Sequence, residues 1–183
     1  MPTLTIYPQH NFPTLYKSQA LAFMRCEWSS IFQGGNLYLS ETYPPELHPV
    51  HFVITEGETL LSYATLLRRG LTHASHDFDI YGFGNMFTFP PFRKQGYGSR
   101  ILRSATEFIR QSEADVAMLY CDARLEAYYA AEGWITTHSE TRLGQPETYT
   151  VYDPLRMMLF VSAKGLAGQA EFERFPVYID WPW

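Results

Sequence analysis

Apolar residues in this chain alternate with polar ones in some stretches and recur at helical spacing in others, and the change between the two periods marks out its elements. Leu4 and Ile6 lie in a short alternating segment that predicts a first strand. Thr14 to Trp28, with Leu15, Leu21, Ala22 and Met24, predicts a helix that is poorly amphipathic at its start. Gly34-Gly35-Asn36 and Tyr43-Pro44-Pro45-Glu46 then break the chain, so Ser29 to His48 reads as loop-rich. His51 to Leu67 reads as a hairpin turning at Glu56-Gly57-Glu58 and closed by Arg68-Arg69-Gly70, with Leu71 to Asp77 irregular. A long apolar run, Phe78 to Phe89, is rich in β-formers, and Ile101, Leu102, Ala105, Phe108 and Ile109 follow at helical spacing. Val116 to Cys121 reads as a buried parallel-type strand. Arg124 to Glu132 is built of good helix formers up to a capping Gly133, and Trp134 begins another strand. Gly144-Gln145-Pro146-Glu147 is a loop, Met157 to Val161 a short apolar strand, and Tyr178-Ile179-Asp180-Trp181-Pro182-Trp183 an aromatic tail. No repeat or low-complexity tract interrupts the chain, which predicts a single domain over residues 1–183.

The junction between the Phe78–Phe89 run and the following helix carries the chemistry. It reads Pro90-Pro91-Phe92-Arg93-Lys94-Gln95-Gly96-Tyr97-Gly98-Ser99-Arg100. A strand enters, a glycine-punctuated loop turns, and a helix leaves. Unpaired backbone N–H groups and the positive end of the helix dipole make such a mouth an anion site. Gly96 and Gly98 lack a Cβ, so the backbone can take positive φ and approach a phosphate closely. Arg93, Lys94 and Arg100 add positive charge. A dinucleotide fingerprint would need Gly-x-Gly-x-x-Gly, and a P-loop would need Gly-Lys-Ser/Thr after its gap; neither is present.

This pattern, Thr88 to Gly98 with Pro90 ahead of Arg93-x-x-Gly96-x-Gly98, resembles the acyl-CoA-binding signature of the Gcn5-related N-acetyltransferases (GNAT). A second segment is similar to another motif of that family, a Tyr four residues before a Gly followed by an aromatic, here Tyr129 ahead of Gly133-Trp134. The resemblance covers roughly Phe78 to Trp134 and implies an α/β (α+β) fold. That fold is a mixed central sheet of about six to seven strands flanked by helices and splayed between the fourth and fifth. It implies acetyl-CoA as cosubstrate and no metal. The implied cofactor contacts are Arg93, Lys94, Gln95, Gly96, Tyr97, Gly98 and Ser99 around the phosphates, Met86, Phe87 and Thr88 on the preceding strand, and Asp122. Many members carry Asn where Asp122 stands.

Acetyl transfer from a thioester to an amine needs phosphate binding, a polarised carbonyl, a proton for the leaving thiolate and an amine that sheds one. In the family the carbonyl falls to a backbone N–H at a bulge in the strand before the loop, for which Gly82 and Gly84 offer natural positions. Tyr129 is the expected proton donor, since a Tyr hydroxyl has a pKa near that of an alkyl thiol, and Tyr128 is its neighbouring control. Asp79, His48, His51, Asp180 or the terminal carboxylate remain open as the base. No covalent intermediate is required, so the lack of a Ser-His-Asp or Cys-His signature is consistent with this chemistry.

Composition narrows the partners. The chain has 183 residues, with 46% hydrophobic and 16% aromatic content, enough for a sizeable core and an aromatic pocket. A formal net charge of -5 argues against nucleic-acid binding. Cys26 and Cys121 are far apart and read as free thiols of a reducing compartment. The absence of a signal peptide or spanning run predicts a cytoplasmic protein with no membrane partner. His73, His76, Asp77 and Asp79 fix no tetrahedral metal set and read as solvated loop residues. Trp28, Phe32, Tyr38 and Tyr43, with Glu27, Glu41 and Glu46 interleaved, read equally as a wall of the acceptor pocket or as anchors of a long loop.

Within the family the chain distantly resembles the aminoglycoside 2'-N-acetyltransferases, through Tyr129 to Trp134 and an ending of Asp and Trp. That resemblance implies that Asp180 and the Trp183 carboxylate bind a cationic acceptor, and Asn85 stands near the place of an acid in those enzymes. The expected partner is a small-molecule amine, such as an aminoglycoside, amino sugar or polyamine, with a homodimer as an allowed assembly. A protein or peptide N-acetyltransferase and a non-catalytic acyl-CoA sensor are the alternatives.

Overall fold

The computed structural model describes residues 1–183 and contains ten strands and four α-helices, joined in places by short 3-10 turns. In chain order these are β1 (Thr3–Pro8), α1 (Thr14–Glu27), β2 (Val50–Glu56), β3 (Thr59–His73), β4 (His76–Thr88), α2 (Tyr97–Arg110) and β5 (Val116–Cys121). There follow α3 (Glu126–Ala130), β6 (Ile135–Thr136), β7 (Thr141–Gln145), β8 (Thr148–Tyr152), β9 (Leu155–Phe160), α4 (Ala163–Arg174) and β10 (Val177–Ile179). A seven-stranded mixed sheet runs β1-β2-β3-β4-β5-β9-β6, and a three-stranded sheet runs β10-β7-β8. Contacts gather into two compact units, one of residues 1–67 and 85–105, the other of residues 68–84 and 106–183.

In the first unit β1, β2 and β3 form an antiparallel meander, with Ile6 opposite Phe52 and Val53 opposite Tyr63. Gly57 turns the hairpin at φ 57°, a left-handed position suited to glycine. Residues of α1 that recur at helical spacing, Ala20, Leu21, Phe23 and Met24, pack with Phe12, Phe32, Val53, Leu60, Tyr63 and Phe87. The aromatic stretch after α1 is mostly core anchor. Phe32 and Tyr43 are buried and Trp28 packs edge-on to Phe23 at 6.3 Å, whereas Tyr38 is exposed.

A polar chain threads this core. Gln9 Nε2 donates to Glu41 at 2.8 Å, and Gln9 Oε1 lies 2.7 Å from His51 Nε2, which therefore carries the ring proton. His51 Nδ1 lies 2.8 Å from the Tyr63 hydroxyl, which donates to Thr42 Oγ1 at 3.0 Å. Burial, reinforced by the charge of Lys17, lowers the His51 pKa to about 3. The ring stays neutral at any working pH, and being buried it cannot take a proton from a substrate.

The second unit departs from the sequence expectation at residues 68–79. Arg68-Arg69-Gly70 do not close a hairpin; β3 continues to His73, and Ala74 and Ser75, with φ of 48° and 68°, turn it into β4. Two consecutive left-handed residues match the right-handed strand twist. This tight turn lacks the Asn-Gly or Asp-Gly signature, and Gly70 sits within a strand, so the pattern misleads. His73 is consequently buried and stacked on Phe172 at 4.2 Å, not solvated. Asp79 faces Arg68, with Oδ2 2.6 Å from Nη2, and Asp77 accepts from Thr72.

Asp115 ties this unit together. Its carboxylate accepts from Ser162 Oγ at 2.6 Å, Lys164 Nζ at 2.8 Å and the Asp79 N–H at 3.0 Å. Its N–H donates to Asp79 O, and its carbonyl accepts from the N–H groups of Val161 and Ser162. One residue thus joins the start of β5 to β4, to the end of β9 and to the N-cap of α4. Helix α4 was not evident in the sequence, because two glycines interrupt it. Both are packing requirements: a Cβ at Gly165 would lie 2.0 Å from Asp115 O, and one at Gly168 would lie 2.8 Å from Phe78 Cζ.

Burial alone would raise the Asp115 pKa, but hydrogen bonds from Lys164, Ser162 and the Asp79 N–H outweigh it and the net direction is down. A depressed carboxylate contributes stability above its unfolded pKa of about 3.9 and loses it as pH falls through the folded value. Asp115→Asn should therefore lower the urea midpoint at pH 7, and the deficit should shrink toward pH 3. Equal midpoints at pH 7 would refute the role of this ionised hub.

Candidate active site

The turn between β4 and α2 in the first unit is built as the sequence demands. Residues 90–92 form a 3-10 turn whose Pro90 carbonyl accepts from the Arg93 N–H. Lys94 then takes φ 64° and Gly96 φ 80°, and α2 begins with the Arg100 N–H donating to Gly96 O. Left-handed residues alternating with ordinary ones turn successive N–H groups to one side, which makes an anion-binding concavity at the mouth of a fourteen-residue helix. No atom lies within 4 Å of where a Cβ on Gly96 would stand. That clearance, with exposed Lys94, Ser99 and Arg100 around it, fits a pyrophosphate. Arg93 is committed differently: its Nε donates back to the Thr88 carbonyl at 3.0 Å and braces the loop on the end of β4. Gln95 Nε2 reaches Pro91 O at 3.4 Å. Gly98 and Tyr97 are half-buried in the first turn of α2.

The end of β4 is pinned within the same unit. Ser62 Oγ donates to Phe87 O at 2.8 Å and lies 2.8 Å from Thr88 Oγ1, while the Phe89 N–H donates to Leu61 O. Phe87 points into the core, stacked on Phe23 at 4.2 Å. The irregular residue of β4 is Asn85, not Gly82 or Gly84: its φ is 51°, a left-handed conformation that Asn tolerates better than most residues. A left-handed residue inside a strand turns the adjoining peptide out of the ladder. The neighbouring Met86 is half-buried, and Nδ2 of Asn85 is buried without a hydrogen-bond partner.

Tyr129 belongs to the second unit, on α3. Its ring is buried, 6.3 Å from Phe83 and 5.2 Å from Tyr128, and burial, with Cys121 and Tyr128 nearby, pushes the hydroxyl pKa well above the ordinary phenol range. It therefore keeps its proton throughout neutral and mildly alkaline pH. The Gly133 turn beside it has φ 88°, and Trp134 drops into the core with Nε1 donating to Thr106 Oγ1 at 2.9 Å. Asp122 is engaged with its own turn: the carboxylate accepts from the Arg124 N–H, Nε and Nη2, each at 2.9 Å, which lowers its pKa to about 2.

The acceptor residues inferred from resemblance sit around an arginine that the sequence did not single out. Asp180 Oδ2 lies 3.1 Å from Arg69 Nη2, and the Arg69 guanidinium stands 5.6 Å from the ring centres of both Trp181 and Trp183. Arg69 carried no signal beyond its place in an Arg-Arg pair that read as a hairpin end. Among the open candidates for the base, His51 is buried and neutral, Asp79 is paired with Arg68, and His48 sits exposed at a left-handed turn with φ 47°.

A mixed sheet with a parallel β4–β5 pair, and a glycine-punctuated turn at the mouth of α2, define a protein of the α/β class. The chain belongs to the acetyltransferase (GNAT) family, whose model matches residues 18–134. It is therefore an acyltransferase that uses acetyl-CoA and acts on an acceptor substrate. No curated protein matches the chain in sequence. Among solved structures, an acyl-CoA N-acyltransferase from Pseudomonas aeruginosa is 14% identical with a TM-score of 0.60, covering 88% of this chain and 100% of that one. Escherichia coli ElaA is 13% identical with a TM-score of 0.61, covering 86% and 99%. The catalytic domain of Tetrahymena Gcn5 histone acetyltransferase, in complex with coenzyme A, is 12% identical with a TM-score of 0.57, covering 89% and 95%. At these identities the likeness establishes the fold.

Gly96→Val forces a branched side chain into a left-handed position, which costs about 1–2 kcal/mol of backbone energy, and fills the cleared space. The variant should fold with a modestly lower melting temperature and lose the rise in melting temperature that acetyl-CoA gives the parent protein. An undiminished rise would remove Gly96 from the cofactor site.

Proposed function

We propose that this protein transfers the acetyl group of acetyl-CoA to the primary amine of a small molecule. The observation that carries the reading is Asn85, a left-handed residue within β4 whose buried amide nitrogen lacks a partner. An unsatisfied buried donor costs about 1–3 kcal/mol, so an oxygen of a bound ligand is its natural complement.

Acetyl-CoA, when bound, supplies an activated acyl group and a thiolate leaving group. The N–H groups of residues 94–99 hold its phosphates, with Lys94 and Arg100 adding charge. Asn85 and Met86 orient and polarise the carbonyl. Tyr129, held protonated by burial, donates to the departing sulfur. The amine gives up its proton to water or to an exposed base.

For the acceptor, Asp180 is exposed and already paired with Arg69. A cation reaching it would compete with an existing partner in solvent, where such pairs are worth little. That supports an amine of low charge over an aminoglycoside or polyamine.

Coenzyme A release measured over a panel of monoamines, amino sugars, polyamines and peptides tests the reading. Monoamines should turn over best, and exclusive turnover of peptides would overturn it. Asn85→Gly keeps the left-handed backbone and removes the amide; it should retain more turnover than Asn85→Val, which disfavours that backbone as well. Tyr129→Phe should lower kcat by about 10²-fold, with Tyr128→Phe mild by comparison. Because the Tyr129 pKa is raised, the parent profile should show no falling alkaline limb below about pH 10. A limb at pH 8 that vanishes in Tyr129→Phe would contradict the burial argument.

A further inference from the structure

We propose that Arg69 is a carboxylate site. Its guanidinium, flanked by the indoles of Trp181 and Trp183, takes the carboxylate of a small organic acid with an apolar or aromatic body, in exchange for the side chain of Asp180. Every residue of the site lies in the second unit, and the proposal stands apart from the acyl-transfer reading above.

The strand places the arginine and the tail builds walls around it. Along β3, Arg68 and Gly70 are exposed while Arg69 between them is half-buried, as alternation across a sheet requires. The Arg69 guanidinium stands 5.6 Å from both indole centres, and the two rings meet at 88° with their centres 6.4 Å apart. The cation therefore faces an aromatic corner. That corner is anchored. The Trp183 ring lies directly on Gly82, where a Cβ would stand 2.5 Å from Cε2, and its Nε1 donates to Met118 O at 3.0 Å. Tyr120 packs against the same indole at 5.7 Å.

The hydrogen bonds of Arg69 are incomplete in a way that describes its ligand. Nη2 donates to Asp180 Oδ2 at 3.1 Å, whereas Nη1 is buried without a partner. Arg68, next to it, grips the Asp79 carboxylate with both Nε and Nη2. Asp180 is tethered to the backbone just past β10, and it reaches a single nitrogen. An untethered carboxylate can span Nη1 and Nη2, forming two charge-assisted bonds where Asp180 forms one and satisfying the orphaned donor. Releasing Asp180 costs little, because its side chain is 65% exposed and such pairs are weak in water. The aromatic corner favours an acid with an apolar body, and the guanidinium beside Asp180 disfavours a cation.

The test is calorimetry without acetyl-CoA, using phenylacetate, acetate, phenylalanine and phenylalaninamide as probes of the parent, Arg69→Gln and Asp180→Asn. The parent should bind phenylacetate and phenylalanine, with acetate and the amide markedly weaker. Arg69→Gln should weaken phenylacetate by about thirtyfold or more, the scale of losing one partner of a desolvated charge pair. Asp180→Asn should tighten it severalfold, because the built-in competitor is gone. If the pair only docks the tail, Asp180→Asn lowers the melting temperature and leaves binding unmoved, which overturns the proposal. It is likewise overturned by a parent that binds no acid, by binding that survives Arg69→Gln, or by an amide or acetate that binds as well as phenylacetate. Should Arg69→Gln lack a cooperative melt, the direction of change in Asp180→Asn decides alone. The rise in melting temperature with acetyl-CoA is a separate measurement, so its failure touches the transferase reading and not this one.

Discussion

The structure depends on a parallel strand pair whose start is fixed by a single residue. β4 and β5 share three registered pairs, from Ile80 with Val116 to Gly82 with Met118. A parallel pair has no hairpin to hold it, so its start must be fixed by something else. Asp115 does this, through the N–H and carbonyl of Asp79 on one side and Ser162 and Lys164 on the other. At the last registered pair, Gly82 offers a flat surface to the Trp183 indole and Met118 offers a carbonyl to its Nε1.

Two buried polar side chains show how the fold settles such groups within the protein itself. His51 is neutral and bonded at both nitrogens. Arg156 is buried without a carboxylate, yet its guanidinium donates to Thr137, Thr141, Ser139 and the Phe172 carbonyl, and burial lowers its pKa. Such a cation fastens the segment between β6 and β7 to β9 and α4 by hydrogen bonds in place of charge pairing. The Asn85 amide nitrogen lacks a partner, as do Arg69 Nη1 and His73 Nε2, and of the three residues Asn85 alone is left-handed.

The turns at Gly96 and Gly133 were legible because each depends on local backbone chemistry: Gly96 must take positive φ, and Gly133 must end a helix. The meander and β5 were legible from their periodicity. What escaped depends on contacts between residues distant in sequence. Gly165 and Gly168 look like helix breakers until Asp115 and Phe78 are seen against them. The Ala74-Ser75 turn has no sequence signature, so β3 appeared to end early and His73 appeared solvated. Asp180 and Trp183 were picked out by resemblance, but Arg69, which pairs with one and covers the other, had no motif to announce it. Likewise Gly82 was noticed as a place for a bulge, whereas its lack of a side chain makes room for an indole.

The two cysteines carry a practical consequence. Cys26 is exposed on α1, whereas Cys121 is buried at the end of β5, where burial and the carboxylates of Asp122 and Glu126 push its thiol up to about 11. A thiol so placed is a poor nucleophile at neutral pH. A disulfide reagent used to count released coenzyme A will therefore titrate a single equivalent from the native protein as background. The second equivalent emerges only when the strand carrying Cys121 comes apart, so the reagent that follows turnover also keeps time on the opening of the second unit.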